Sequence, residues 1–219
     1  MFNKLIAGAP SRKTRFHDAC GRSVPVGRAL RNGSRALVGA IGRVMLDVRP
    51  ARPWISFDAQ ALIDERLDAE SSVLEFGSGM STLWFARRVG RIVSREDHAG
   101  WHGEIAGRLA DSNAEIDYRH APGREEYLAV PDGEIFDLVL VDGKFRDECV
   151  ELGLSLLKPG GMLYLDNADH GVGEFDGDVP RAVSMIEEAS RTRGWPMKSF
   201  TDFAPTTFFA QRGLLIQRR

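Results

Sequence analysis

The residues best placed to do chemistry begin where a short apolar run, Val73-Leu74-Glu75-Phe76, enters Gly77-Ser78-Gly79 and continues through Met80-Ser81-Thr82 into a segment of helical period. A strand that turns through glycines into a helix leaves the N–H groups of the turn and of the first helical residues without internal partners. Those groups face whatever lies at the carboxyl end of the sheet. Gly77 and Gly79 lack Cβ and admit positive φ, so main chain can approach a ligand there, and Ser81 or Thr82 is the expected N-cap. Glu96 stands nineteen residues beyond Gly77, at the end of the next apolar run, with Asp97 beside it. A carboxylate in that place accepts hydrogen bonds from both hydroxyls of a ribose. The order strand, glycine turn, helix, strand, acid is what a nucleotide-like ligand requires.

Positioning these residues takes a sheet with helices on both faces. The apolar runs Val73 to Phe76, Ile92 to Ser94, Phe136 to Val141 and Met162 to Leu165 alternate with segments of helical period at 83–89, 101–109 and 149–157. Phe136-Asp137-Leu138-Val139-Leu140-Val141 is too apolar for a strand with one wet face; parallel strands buried on both sides read this way. Alternation with helices predicts right-handed βαβ units in a doubly wound sheet, with Ile116 to Arg119 as a weaker third strand. A lead-in helix is expected at 57–67 and another at 179–193. The last two runs, Lys198 to Phe203 and Phe208 to Gln217, are separated only by Ala204-Pro205-Thr206-Thr207, too short for a crossover, so they should pair antiparallel. The expectation is an α/β fold: seven strands, mostly parallel, ending in an antiparallel hairpin.

Over residues 71–167 the chain resembles the class I, Rossmann-like S-adenosylmethionine-dependent methyltransferases. The matching pieces are Leu74-Glu75-Phe76-Gly77-Ser78-Gly79, Val93-Ser94-Arg95-Glu96, the fourth-strand run 136–141 with Asp142-Gly143, and Leu157-Lys158-Pro159-Gly160-Gly161 leading through 162–165 to Asp166-Asn167. The resemblance implies S-adenosylmethionine lying over Glu75, Phe76, Gly77, Ser78, Gly79, Ser81 and Thr82, its ribose on Glu96. It further implies that the methionine end lies near Asp142, and that Glu75 orders the glycine turn and that end of the cofactor. The family's usual acid after the third strand has no counterpart in His120-Ala121-Pro122-Gly123, leaving backbone groups, Asp97 or His98 for the adenine. A dinucleotide oxidoreductase is the nearest rival, but its fingerprint wants a third glycine where Thr82 stands.

Methyl transfer is an in-line displacement, so the protein mainly supplies alignment, a dry cavity and a deprotonated acceptor. Three routes to the last are open. Catechol-type O-methyltransferases hold a divalent ion after strands four and five, which here implies Asp142, Asp166 and Asn167 around Mg²⁺. Alternatively His170 or Lys144 acts as general base, with Asp142 completing the catalytic set. Alignment alone suffices for an acceptor that is already nucleophilic. Arg146 could hold an anionic substrate. The segment 166–178, rich in acids and glycines, reads as a substrate lid. The implied activity is methylation of a small or medium-sized acceptor, oxygen before nitrogen. A non-catalytic binding or scaffold protein that retains the cofactor fold is the competing class.

Composition bounds the rest. At 219 residues with 43% apolar and 27% charged content, the chain suits one substantial domain with an appendage. The net charge of −2 conceals an asymmetry: residues 1–53 carry eleven Lys and Arg against Asp18 and Asp47. The expected division is a basic N-terminal arm, 1–53, and a cofactor-binding domain, 54–219. Packing of the arm on the acidic body or on a second subunit is expected, and homo-oligomerisation through it is one outcome. With only Phe2 and Phe16 among its cations, the arm lacks the interleaved aromatics of single-strand binders, which argues against nucleic acid. Its longest apolar run, Ala36 to Gly42, is far below the ~20 residues of a membrane span. Cys20 and Cys149 lie far apart with no metal spacing, and no secretory signal is evident, so a reducing cytoplasm is the expected location.

Overall fold

The computed structural model describes residues 12–109, 112, 114–171 and 177–219. A seven-stranded sheet runs through it: β1 (Ser72–Phe76), β2 (Arg91–Glu96), β3 (Glu115–His120), β4 (Phe136–Val141), β5 (Leu157–Leu165), β6 (Met197–Ala204) and β7 (Thr207–Gln217). The spatial order is β3-β2-β1-β4-β5-β7-β6. β1 to β5 pair in parallel, while β7 is antiparallel to both β5 and β6. The chain order reverses at β1 and β4, and the crevice beyond their carboxyl ends is where ligands bind such sheets.

Seven helices complete the described fold: α1 (Val26–Leu46), α2 (Phe57–Asp64), α3 (Met80–Phe85), α4 (Ala99–Arg108), α5 (Arg124–Leu128), α6 (Arg146–Ser155) and α7 (Asp178–Arg193). One core lies between the sheet and α5, α6 and α7, built on Phe76, Val139, Val141, Leu163 and Ile186. The opposite face packs α2 and α3 against Val73, Ile92, Leu138 and Tyr164. β1 and β4 are buried almost throughout, because both sheet faces are covered.

Two elements depart from expectation. The Pro159-Gly160-Gly161 stretch belongs to β5 itself, which starts at Leu157 and pairs with β4 through a register shift. α1 is a full 21-residue helix. Glycine in a helix interior is ordinarily a cost, yet two of its glycines are the packing surface. A Cβ on Gly39 would lie 1.8 Å from the Pro205 carbonyl oxygen in the β6–β7 turn, and one on Gly33 would touch Phe203. Close approach of main chain to main chain is the reason a helix accepts the cost of glycine here.

The described part of the arm lies on β6 and β7 and is stitched to the body by charge. Arg28 and Arg31 pair with Asp58 at 2.6 Å each. The buried Asp202 accepts from Asn32 Nδ2 at 2.8 Å, and Thr201 donates to Asp18 at 3.0 Å. At the arm's start, the buried Asp169 carboxylate accepts from Arg12 Nη2 (2.9 Å), the Ala19 N–H (2.9 Å) and the Arg212 N–H (3.1 Å). That one carboxylate joins the arm, the segment after β5 and β7.

Candidate active site

The glycine bend and the acid after β2 form one unit. Glu96 Oε2 accepts from the Ser78 N–H at 2.9 Å and the Ser78 hydroxyl at 2.8 Å, and Oε1 accepts from the His98 N–H at 2.9 Å. Tyr118 and Trp101 close the bend from the other side. The Tyr118 hydroxyl lies 2.7 Å from Ser78 Oγ, and Trp101 Nε1 donates to the Ser78 carbonyl at 2.8 Å. Burial drives the Tyr118 hydroxyl well above its ordinary pKa, so it stays protonated. Tyr118 did not stand out in the sequence; its alternation with Asp117 and Arg119 marked a strand and nothing more.

The two glycines do different work. Gly77 has φ +91°, and a Cβ there would lie 2.7 Å from the Gly143 nitrogen and 2.8 Å from the Asp142 carbonyl. It is required for β1 and β4 to end side by side, before any ligand is considered. Gly79 is extended, with φ 174°, and does not use the positive φ that glycine admits. Gly79, rather than Ser81 or Thr82, is the N-cap of α3. Its N–H donates to Thr82 Oγ1 at 2.9 Å, and that hydroxyl donates onward to Glu75 Oε2 at 2.6 Å. Thr82 turns inward because a third-position side chain can reach back to the helix start.

Glu75 is wholly buried, and Ser94 Oγ also donates to its Oε2, at 2.8 Å. Desolvation outweighs the influence of the nearby Ser81, Thr82 and Ser94 hydroxyls, raising its pKa to about 7. Its other oxygen, Oε1, has no protein partner. A buried carboxylate oxygen left without a donor is costly unless a ligand supplies one. The amino-acid end of S-adenosylmethionine carries such a donor, so this part of the site suits the cofactor.

The β4 and β5 ends are organised around a guanidinium. Arg146, at the start of α6, donates to the Gly143 carbonyl (2.9 Å) and the Asp166 carbonyl (3.0 Å) and reaches Asp142 Oδ1 at 3.5 Å. The Asp166 side chain points elsewhere, accepting from Tyr164 at 3.2 Å and from Gln211 at 3.3 Å. The triad Asp142, Asp166 and Asn167 therefore does not fit a divalent ion: a cation already bridges the two strand ends, and the second carboxylate is spent inside the core. Among the described residues no group of three His, Cys, Asp or Glu converges on a metal position.

Half-buried Asp142 has its pKa raised to about 6, first by desolvation and then by the charge of Glu96, while Arg146 pulls it back. Asp166 is raised as well, by burial and by Asp142. Lys144 pairs with Asp97 at 2.6 Å across the crevice, which raises its pKa and keeps it a charged donor. His170 is shifted the other way by partial desolvation, towards the neutral imidazole. A cavity of about 480 Å³ opens at this end, lined by Lys144, Phe145, Arg146, His170, Asp178 and Pro180 among others. Residues 172–176 of the expected lid lie outside the described residues.

No protein-family model and no curated protein matches the chain. Solved structures do. An O-methyltransferase from Bacillus cereus in complex with SAH aligns with TM-score 0.63 at 16% identity, over 85% of this chain and 99% of that one. TomG of Streptomyces achromogenes, an O-methyltransferase involved in tomaymycin synthesis and solved with SAM, aligns with TM-score 0.60 at 22% identity, over 84% and 89%. Cofactor-bound Rv0187 from MTB aligns with TM-score 0.59 at 19% identity, over 84% and 96%. The chain therefore carries the fold of these three structures, two of them O-methyltransferases.

Proposed function

We propose that the chain is an S-adenosylmethionine-dependent methyltransferase whose acceptor is a hydroxyl oxygen of a small or medium-sized molecule. The observation that carries this reading is the contact between Glu96 and the glycine bend, which puts the ribose acid and the Cβ-free turn at one mouth of the sheet. Three of the folds it shares belong to proteins solved with SAM, SAH or a cofactor, two of them O-methyltransferases. When bound, the cofactor supplies an electrophilic methyl group; alignment and proton handling fall to the chain.

Glu75 Oε1 would receive the cofactor's amino group, while its other oxygen holds the bend through Thr82. Glu96 would hold the ribose with the acceptor capacity left over from Ser78 and His98: its two oxygens offer four lone-pair sites, and three donors now use three of them. Trp101 fixes the bend so that these acceptors do not have to be reorganised on binding. The acceptor enters the cavity beside Arg146 and His170. Asp142, with its pKa raised to about 6, takes the hydroxyl proton at neutral pH, Arg146 stabilises its charged form, and His170 is the neutral alternative base. No step passes through a metal ion.

Calorimetry with S-adenosylhomocysteine tests the reading. Binding by the wild-type chain is expected, and Glu96→Ala should weaken it by about 1–3 kcal/mol through the lost charge-assisted hydrogen bonds. Absence of binding to the folded protein overturns the enzyme assignment in favour of a scaffold that keeps the fold.

A further inference from the structure

Trp54, in the segment between α1 and α2, carries a polar atom that nothing in the described chain answers. Its Nε1 is sealed from solvent and has no hydrogen-bond partner among the described residues. A buried indole N–H ordinarily finds an acceptor. Neighbours on three sides fix where the residue lies. Its carbonyl accepts from Gln211 Nε2 at 3.4 Å, and the same nitrogen reaches the Asp166 carboxylate beyond the end of β5 at 3.3 Å. The ring packs on the cluster that Met80 and Leu83 of α3 form with Ile105, and the Arg43 guanidinium lies 4.4 Å from its centroid. Arg49, earlier in the segment, lies over the Trp101 ring at 5.5 Å and 3.6 Å from Glu104, which ties the segment to α4.

Strand register places this residue beside Glu75. Ser94, Glu75, Leu140 and Tyr164 are partners across four adjacent strands, so their side chains share the sheet face that packs α2 and α3. At one end of that row Tyr164 donates to Asp166 at 3.2 Å, and towards the other Thr82 of α3 donates to Glu75. Trp54 joins the two ends, since it touches Gln211 beside Asp166 and packs on α3. Only β4 lies between them, a span of about 10 Å from β1 to β5 at ~4.8 Å per strand. One face of the mouth thus holds two buried atoms of opposite need. Glu75 Oε1 is an acceptor without a donor, and Trp54 Nε1 is a donor without an acceptor.

We infer that Trp54 donates its indole N–H to the carboxylate of the cofactor's amino-acid end; this rests on the cofactor reading above and adds a residue from outside the stretch 71–167. An α-amino acid group answers both atoms at once, its ammonium on Glu75 and its carboxylate on the indole. The surroundings admit the added negative charge. Asp166, the carboxylate that shares Gln211 with Trp54, is held towards its protonated form by burial and by Asp142. The Arg43 guanidinium against the ring places a positive charge close by. The segment that links the basic arm to the domain thereby becomes part of the binding wall.

Calorimetry on the full chain with two ligands tests this: S-adenosylhomocysteine, and methylthioadenosine, which keeps the adenosine and the sulfur but lacks the amino-acid end. Trp54→Phe leaves a ring to pack on Met80 and Leu83 and removes the donor. It should weaken S-adenosylhomocysteine by about 10- to 100-fold, the range for one hydrogen bond to a charged acceptor, and leave methylthioadenosine within about twofold of wild type. Equal affinity of variant and wild type for S-adenosylhomocysteine overturns the inference while the cofactor reading stands. Equal loss of both ligands also overturns it, because Trp54 then acts through the fold. Wild-type protein that binds neither ligand overturns the cofactor reading and the inference with it. The wild-type indole resonance gives a second readout that needs no variant. The Trp54 Nε1 proton should move downfield with S-adenosylhomocysteine and stay in place with methylthioadenosine; a proton that ignores S-adenosylhomocysteine overturns the inference.

Discussion

The two halves of the crevice are built on different principles. At the β1–β2 side, polar groups are locked pairwise: Glu96 on Ser78, Trp101 on the same residue's carbonyl, Thr82 between Gly79 and Glu75. At the β4–β5 side, the Arg146 guanidinium borders an open cavity and reaches back to Asp142, whose pKa is raised. The first half is preorganised for one ligand of fixed shape. In the proposed function the second would handle the proton and admit the acceptor. Rigidity is concentrated where the ligand is constant, adaptability where it varies.

Gly77 should give the largest effect, since it belongs to both halves. Gly77→Ala forces a Cβ into the Asp142 backbone at φ +91°, and strain with overpacking should cost about 2–5 kcal/mol in denaturant unfolding. Gly79→Ala, extended and facing Trp101 at 3.7 Å, should change stability by less than about 0.5 kcal/mol. Equal losses at the two glycines would erase the distinction between a structural and a ligand-facing residue.

Titration comes next. Glu75 and Asp142 have folded pKa values raised to about 7 and about 6, above their ordinary 4.5 and 3.8. The folded state therefore holds more protons than the unfolded one between roughly pH 4 and 7, and stability falls as pH rises through that window. Glu75 alone accounts for about 3 kcal/mol of that fall, given ~1.4 kcal/mol per pKa unit. Glu75→Gln should flatten the decline in unfolding free energy measured from pH 4.5 to 7.5, and an unaltered slope would place the titration elsewhere.

Arg146 sharpens the other half. Arg146→Met removes the charge that holds the Asp142 pKa down, so the acidic limb of kcat against pH should move to higher pH by about one unit, the size of a single partly screened neighbour. A limb that stays in place argues for His170 as the base. The smallest expected effect is none: methyl transfer in excess chelator should match the untreated rate, because the Arg146 bridge stands where an ion would. A loss restored by Mg²⁺ would show that the bridge opens.

How much of this was readable beforehand follows from the physics of each part. Parallel strands buried on both faces are continuous apolar runs, so β1, β2, β4 and β5 were visible, and the four-residue link made the final hairpin unavoidable. The outline of α1 was obscured because its packed face is glycine and alanine while its large apolar residues point outward, the reverse of an ordinary amphipathic helix. Glu96 and Gly77 were legible by spacing within one βαβ unit. The hold of Tyr118 and Trp101 on Ser78, and the turn of Asp166 towards Gln211, depend on which strands become neighbours, and local sequence carries no trace of that.

The Asp169 clasp has a practical consequence. Its carboxylate is sealed from water, and its charge is answered by Arg12, close to the chain's start. A protease or an expression vector that trims the first twelve residues would leave that carboxylate, one position from His170, with no cation and only the Ala19 and Arg212 N–H groups as donors. Damage at the amino terminus should thus be felt first as faulty turnover rather than as gross unfolding.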